Sequence, residues 1–336
     1  MKSTIRDVAR LSEVSISTVS RVLNNPESVK REKREKVLKT IKELNYHPNA
    51  LARGLINKRT HSIGVLITDV SNSFVSEVIR GMEEAAHQMG SNLIICNTDQ
   101  DKEKMIEYLR VLKEKQVDGF VFTSEPVSEE YFNIFQELGL PVVLAATHSL
   151  EYDLPSVKVD DETAVQDTVD FFIKKGHKDI GMISGPTLDP IAGSPRLYAF
   201  KNAMRQKLNC TDFENTVEYG SFTFESGYTA MKKLYNKNKS ITAVFCASDE
   251  MALGAMSYLD QKGVNVPDHM SVMGFDNTKM AKMSIPKLTT VAQPMYDIGY
   301  QSVTALEQIL EEGQSSQFRK YLKHTIAERE SVKDIN

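Results

Sequence analysis

Tryptophan is absent and cysteine is scarce. The three cysteines, Cys96, Cys210 and Cys246, are odd in number and far apart. No C-x-x-C pair exists, so neither a disulfide framework nor a zinc site is supported. They read as buried, reduced thiols of a cytosolic protein. No apolar run approaches the ~20 residues that span a bilayer, which argues against a membrane helix. The opening stretch MKSTIRDVARLSEV has no apolar segment of the secretory kind, so a cytoplasmic chain is expected. Enzyme signatures are missing too. There is no G-x-G-x-x-G after the first strand, no G-x-x-x-x-G-K-[ST], no G-x-S-x-G and no H-E-x-x-H. The seven histidines are scattered singly. No catalytic residue, metal site or cofactor is expected.

What is present is ordinary globular material. The chain has 336 residues, 41% hydrophobic and 26% charged, enough for two or three domains with their own cores. The net charge of −4 hides an asymmetry. Residues 1–60 hold 14 Lys+Arg and 6 Asp+Glu, a net +8, while the remainder holds 27 and 39, a net −12. A basic head on an acidic body fits a head that meets a polyanion, although a merely solvated basic face fits equally on charge alone.

The head reads as short helices. Ile5, Val8, Ala9 and Leu11 recur at helical spacing, and Glu13-Val14-Ser15 makes a polar turn. Val19, Val22 and Leu23 form a second apolar set, which Asn24-Asn25-Pro26 ends. A third helix is expected from about Lys30 to Leu44, and a short turn with Asn49 as N-cap around residues 50–55. The first pair fits a helix-turn-helix, with Ile16, Ser17 and Ser20 facing outward and Arg21 in reach of a guanine edge or phosphate.

From Ser62 the texture changes to strands alternating with helices, beginning with the apolar run Ser62–Ile67. The alternation continues to late strands near Phe318–Ile326 and includes more than ten strands. That pattern predicts an α/β body of two doubly wound parallel-sheet subdomains behind a small all-α head.

Several strings carry a family resemblance. Thr4-Ile5-Arg6-Asp7-Val8-Ala9 and Val14-Ser15-Ile16-Ser17-Thr18-Val19-Ser20-Arg21-Val22-Leu23-Asn24 resemble the head of LacI/GalR bacterial transcription regulators. Asn45-Tyr46-His47-Pro48-Asn49-Ala50-Leu51-Ala52-Arg53-Gly54-Leu55 resembles their hinge helix, and Val272-Met273-Gly274-Phe275-Asp276-Asn277 a body strand. Gln293-Pro294-Met295-Tyr296-Asp297-Ile298-Gly299 is similar to the catabolite control subgroup of Gram-positive bacteria.

The resemblance implies a type I periplasmic-binding-protein-like body and a homodimer on double-stranded operator DNA. It implies four segments: a helix-turn-helix domain at 1–47, a hinge at 48–60, an N-terminal core subdomain at 61–160 plus 293–320, and a C-terminal one at 161–292 plus 321–331. DNA would be met by Ser15, Ile16, Ser17, Thr18, Ser20, Arg21, Asn24, Tyr46, Asn49, Ala52 and Leu55, with Leu55 wedging into the minor groove. The hinge is too short to hold a helix alone, so it would order on the operator. A small effector, sugar or phosphosugar-like, would occupy a cleft lined by Phe74, Arg196, Phe222, Ser248 and Asp276. A structural Arg196–Asp276 ion pair and core packing of Phe222 are the plainer alternatives.

The function expected is a repressor of carbohydrate or central metabolism genes under small-ligand control. The alternative is control through a phosphorylated carrier protein. The subgroup meets that carrier with arginines at positions that here are Thr304 and Thr325, and a hydroxyl cannot replace a guanidinium against a dianionic phosphate. The dimer is expected to use helices around 74–89 and 102–115, with Met105, Tyr108, Leu109 and Leu112 as an apolar stripe, part of which is expected to pack on the chain's own sheet instead. An enzyme gives the basic head no role, and an exported sugar-binding protein would have neither that head nor this opening stretch.

Overall fold

A computed structural model describes residues 3–46, 59–313 and 318–336. The chain divides into two units, Met1–Thr60 and His61–Asn336.

In the first unit, α1 (Ile5–Leu11) opens on a capping box: the Thr4 hydroxyl accepts from the Asp7 amide while the Asp7 carboxylate takes the Thr4 N–H. Glu13 at φ 53° makes the turn. Ser15 then caps α2 (Ile16–Asn24) by accepting from the Thr18 amide. Pro26–Ser28 forms a single 3-10 turn before α3 (Arg31–Glu43). Val8, Ala9, Val19, Val22 and Val37 bury the seam where the three helices meet. Leu11, which shares their spacing, is exposed instead.

In the second unit the elements run β1 (Ser62–Ile67), α4 (Ser73–Gln88), β2 (Asn92–Asn97), α5 (Lys102–Glu114), β3 (Gly119–Thr123), α6 (Glu129–Leu138), β4 (Val142–Ala145) and β5 (Ser156–Val159). There follow α7 (Asp161–Lys174), β6 (Ile180–Ser184), α8 (Gly193–Leu208), β7 (Val217–Tyr219), α9 (Phe224–Lys237), β8 (Ala243–Cys246), α10 (Asp249–Gln261) and β9 (Ser271–Asp276). The last are α11 (Lys279–Met283), β10 (Thr289–Ala292), α12 (Met295–Glu312), β11 (Arg319–Leu322) and β12 (Thr325–Ala327). Two six-stranded sheets result, in the orders β11-β5-β4-β3-β1-β2 and β12-β10-β9-β8-β6-β7. All described pairings are parallel except that of β12 with β10. The chain thus crosses between sheets after β5, after β10 and after β11. The strand Arg319–Leu322 stays whole in the first sheet, so the third crossing falls beyond the boundary at residue 320 that the resemblance implies.

The expected dimer stripe needs correction. Met105, Leu109 and Leu112 are fully buried under the chain's own first sheet, beside Phe120 and Phe122, and Tyr108 packs half-buried against that cluster. Met105, Leu109 and Leu112 are consumed by the fold and are not available to a partner.

Helices α4 and α12 meet backbone to backbone. A Cβ added to Gly81 would lie 1.9 Å from the Tyr296 carbonyl oxygen, and one on Gly299 1.9 Å from that of Val78. Gly299→Ala is therefore expected to push the helices apart and to lower the unfolding free energy by about 1–3 kcal/mol. Urea unfolding checks this, and an unchanged midpoint would contradict the crossing.

Candidate functional site

The first unit presents a charged helical surface. Ser15 Oγ lies 2.8 Å from both Ser17 Oγ and Thr18 Oγ1, so Ser15 and the half-buried Thr18 are engaged in the α2 cap. Ile16, Ser17 and Arg21 are exposed, Ile16 by 46%, and Ser20 is partly buried. Arg21 Nε donates to the Ser17 carbonyl at 3.4 Å, which lays its guanidinium along the exposed face of α2. Tyr46 is half-buried against the three-helix core. Asn49, Ala52 and Leu55, and the Asn24 side chain, lie outside the described residues.

Five exposed cations, Arg6, Arg21, Lys30, Lys33 and Lys42, have no carboxylate partner among the described residues. The other described Lys and Arg side chains of this unit up to residue 46 pair locally, as Arg31 does with Glu35 at 2.7 Å and Arg34 with Glu27 at 2.6 Å. The unpaired five add net positive charge to the surface of this unit.

The second unit encloses a cleft of about 230 Å³ at the C-terminal ends of its strands. That is where open α/β sheets present ligand groups. Phe74, Arg196, Phe222, Ser248 and Asp276 all line it. Phe74 sits on α4, whose cap Asn72 accepts from the Phe74 and Val75 amides. Ser248 caps α10 through the Met251 amide. Phe222 holds φ 62°, and its ring tip rests where a Cβ on Gly185 would stand, so core packing and cleft lining coexist in one side chain.

Arg196 does not pair with Asp276. Its Nε donates to Asp161 Oδ1 at 2.8 Å, its Nη1 to the Ala247 carbonyl at 2.7 Å, and its guanidinium lies 3.7 Å from the Phe275 ring centroid. Lys158 Nζ lies 2.8 Å from Asp161 Oδ2. One buried carboxylate therefore serves two buried cations. Burial alone would raise the Asp161 carboxyl, but the Arg196 and Lys158 charges outweigh it and hold the group below the usual range. Sequence reasoning missed Asp161 because Asp160-Asp161-Glu162 reads as an ordinary acidic helix start. Asp160 is indeed the cap, while Asp161 turns inward.

Asp276 accepts from Gln293 Nε2 at 2.7 Å. Burial and the neighbouring Asp249 charge push its carboxyl well above the usual range. Asp249 is itself raised to about 6 by burial, against hydrogen bonds from Thr290 and Thr278. Asp276 at φ 128° and Asn277 at φ 67° stand in strained backbone, as do Gln100, Ser124 and Ala146 at the ends of the first sheet's strands. Such strain concentrates where a fold holds side chains for binding. Across the cleft, Asn72 Nδ2 lies 3.4 Å from Glu250 Oε1. Among the described residues, no group of three or more His, Cys, Asp or Glu is arranged to hold a metal, and no helix is long and apolar enough to cross a membrane.

Comparison with known proteins fits both units. A profile for bacterial regulatory proteins of the lacI family matches residues 4–49, and one for the periplasmic binding protein-like domain matches residues 169–332. Catabolite control protein A of Priestia megaterium is 40% identical over 333 residues, which covers 99% of this chain and all of that one. The structure of the lac repressor dimer bound to operator and the anti-inducer ONPF matches with TM-score 0.88 at 26% identity, over 99% of this chain and 100% of that one. A complex of the transcriptional regulator CelR with cellobiose matches with TM-score 0.74 at 27% identity, over 98% and 99% of the two chains. The chain belongs to the lacI family of bacterial regulatory proteins and is a DNA-binding transcription regulator, not an enzyme.

Proposed function

We propose that the chain is a cytoplasmic, dimeric repressor of carbohydrate or central metabolism genes, controlled by a small polar effector in the cleft. The observation that supports it most directly is the convergence of Arg196, Asp276, Phe74, Phe222 and Ser248 on one cleft of the second unit, in a chain whose first unit carries an exposed helix-turn-helix. Cleft ligands of this kind need a few placed polar groups on a largely preformed wall. Cellobiose in CelR and the operator under the lac repressor dimer are the corresponding ligands of relatives.

The operator is read as two half-sites. Ile16, Ser17 and Arg21 meet base edges, and Ser15, Thr18, Ser20, Asn24 and Tyr46 stand beside them. The hinge, 48–60, with Asn49, Ala52 and Leu55, enters the minor groove and kinks it. Arg21→Ala is expected to lower operator affinity by about 1–3 kcal/mol and to relax the sequence preference in each half-site. A gel shift with selected operator and randomised half-sites measures both. An unchanged preference would remove Arg21 from base readout.

The likeness to catabolite control protein A favours one second reading, a phosphorylated carrier protein as corepressor. Against it, the Thr304 hydroxyl donates to the Tyr300 carbonyl at 2.9 Å, and Thr325 offers a neutral hydroxyl. Neither supplies the cation that a phosphoserine needs. Calorimetry with the carrier in both phosphorylation states separates the two readings.

A further inference from the structure

We propose that the cleft selects an uncharged, polyhydroxylated ligand and rejects phosphorylated or carboxylated ones. This rests on the effector reading above and narrows it. Three features of the wall point the same way.

The first is charge. Among the described residues Arg196 and Lys158 are the cations that line the cleft, and both are held by Asp161 at 2.8 Å. Asp69, Asp189, Glu250 and Asp276 add four further carboxyl groups to the same wall. Even with a proton on Asp276, the acids outnumber the cations. Asp161 offsets only one of the two positive charges, but Asp69, Asp189 and Glu250 on the same wall make the cleft net negative, which opposes entry of a phosphate.

The second is the state of the helix starts. Exposed amides at a helix N-terminus are the usual cradle for phosphate. Here they are taken by the protein's own side chains. Asp189 accepts from the Ile191, Ala192 and Gly193 amides, at 2.9, 3.3 and 2.9 Å, at the start of α8. Asn72 does the same for α4, and Ser248 for α10, whose first turn also carries Asp249 and Glu250. The carboxylates reverse the favourable field of the helix as well as occupying its donors.

The third is what remains. Asp276 is 8% exposed and lines the cleft, with Gln293 donating to one oxygen, so the carboxyl can accept from a ligand hydroxyl or, when protonated, donate to one. Gln100, Ser124 and Thr278 line the same space with neutral polar groups, and Phe74 and Phe222 add apolar surface. Hydroxyls can donate to the carboxylates and accept from the amides, whereas an anion can only accept. A site whose acceptors outnumber its free donors discriminates against anions by leaving those acceptors unpaired.

The test is titration calorimetry of the full-length protein with glucose, ribose and cellobiose, and in parallel with glucose 6-phosphate, ribose 5-phosphate and inorganic phosphate. A gel shift on selected operator is run under the same conditions. At least one neutral sugar is expected to bind, with its phosphorylated counterpart about 30-fold or more weaker and inorganic phosphate without saturable heat. The double variant Asp69→Asn/Glu250→Gln is expected to narrow that gap about tenfold. A phosphosugar that binds more tightly than its neutral parent, or a gap that survives the double variant unchanged, overturns the inference and leaves the effector reading intact. Operator binding with no heat from either series overturns the effector reading itself, and the inference with it.

Discussion

Replacing Asp161 by asparagine is expected to destabilise the body by about 3–5 kcal/mol at neutral pH. The side chain is 4% exposed and is the carboxylate that pairs with both Arg196 and Lys158, themselves 8% and 7% exposed at their side chains. Asparagine keeps the shape and one acceptor but removes the charge. Two cations are then left buried without their counter-ion, and desolvation that had been offset stands exposed. The Phe275 ring beneath Arg196 and the Ala247 carbonyl soften the loss without cancelling it. Urea unfolding of the variant measures the change. Adding Lys158→Met to the variant should recover part of the loss, because one orphaned charge then goes too. A loss below about 1 kcal/mol, with no recovery in the double variant, would show that the cluster is hydrated rather than mutually stabilising.

The pH dependence has a definite sign. The folded-state pKa of Asp161 is depressed, so its contribution is present above the ordinary aspartate range and is lost as pH falls through the folded value. The gap between wild type and Asp161→Asn should therefore close on acidification. Asp249 and Asp276 act oppositely. Their raised pKa values favour folding most at low pH, and that contribution fades as pH rises, for Asp249 through about 6. Comparing variant with wild type isolates Asp161 from those two.

The site was legible in part, and the residues show why. Phe74, Arg196, Phe222, Ser248 and Asp276 follow from a resemblance of whole strings, and they line one cleft. Their partners were not legible. Asp161 lies 35 positions from Arg196 in the chain, and nothing in an acidic helix start says which of three neighbouring acids turns inward. Lys158 sits inside a strand, where a charged residue argues against the strand itself. For that reason the sequence alone does not reveal β5. Nor does it reveal β10, whose Thr289-Thr290-Val291-Ala292 lacks a four-residue apolar run. Both are four residues long and buried on all or most positions, so no alternation marks them. The helical stripe of Met105, Leu109 and Leu112 failed differently. Periodicity shows that a helix has an apolar face but not whether its own sheet or a partner covers it. Here the sheet does.

Operator affinity should fall by about 10³- to 10⁵-fold between 50 and 200 mM salt, the range for ~6–10 neutralised phosphates. The raw excess of cations over residues 1–60 overstates what DNA can use, because Arg10, Arg31, Arg34, Lys36 and Lys39 are already matched to local acids. Exposed pairs of that kind are weak, at about 0–1 kcal/mol, yet each lowers the field its cation projects. Arg6, Arg21, Lys30, Lys33 and Lys42 have no such partner among the described residues and are exposed. A dimer brings two sets to the duplex, which places the count within the range above even when Arg21 is spent on bases. Each phosphate neutralised releases condensed counterions, so the logarithm of affinity should fall linearly with the logarithm of salt. Lys33→Ala and Lys42→Ala should each flatten that line, by about 0.9 for every phosphate no longer neutralised, without altering which operator sequence is preferred. Arg21→Ala should do the reverse, relaxing preference more than slope. A titration series from 50 to 200 mM salt reads both quantities. A slope close to zero, or lysine variants that shift sequence preference and leave the slope unchanged, would refute the assignment of the unpaired cations to the phosphate backbone.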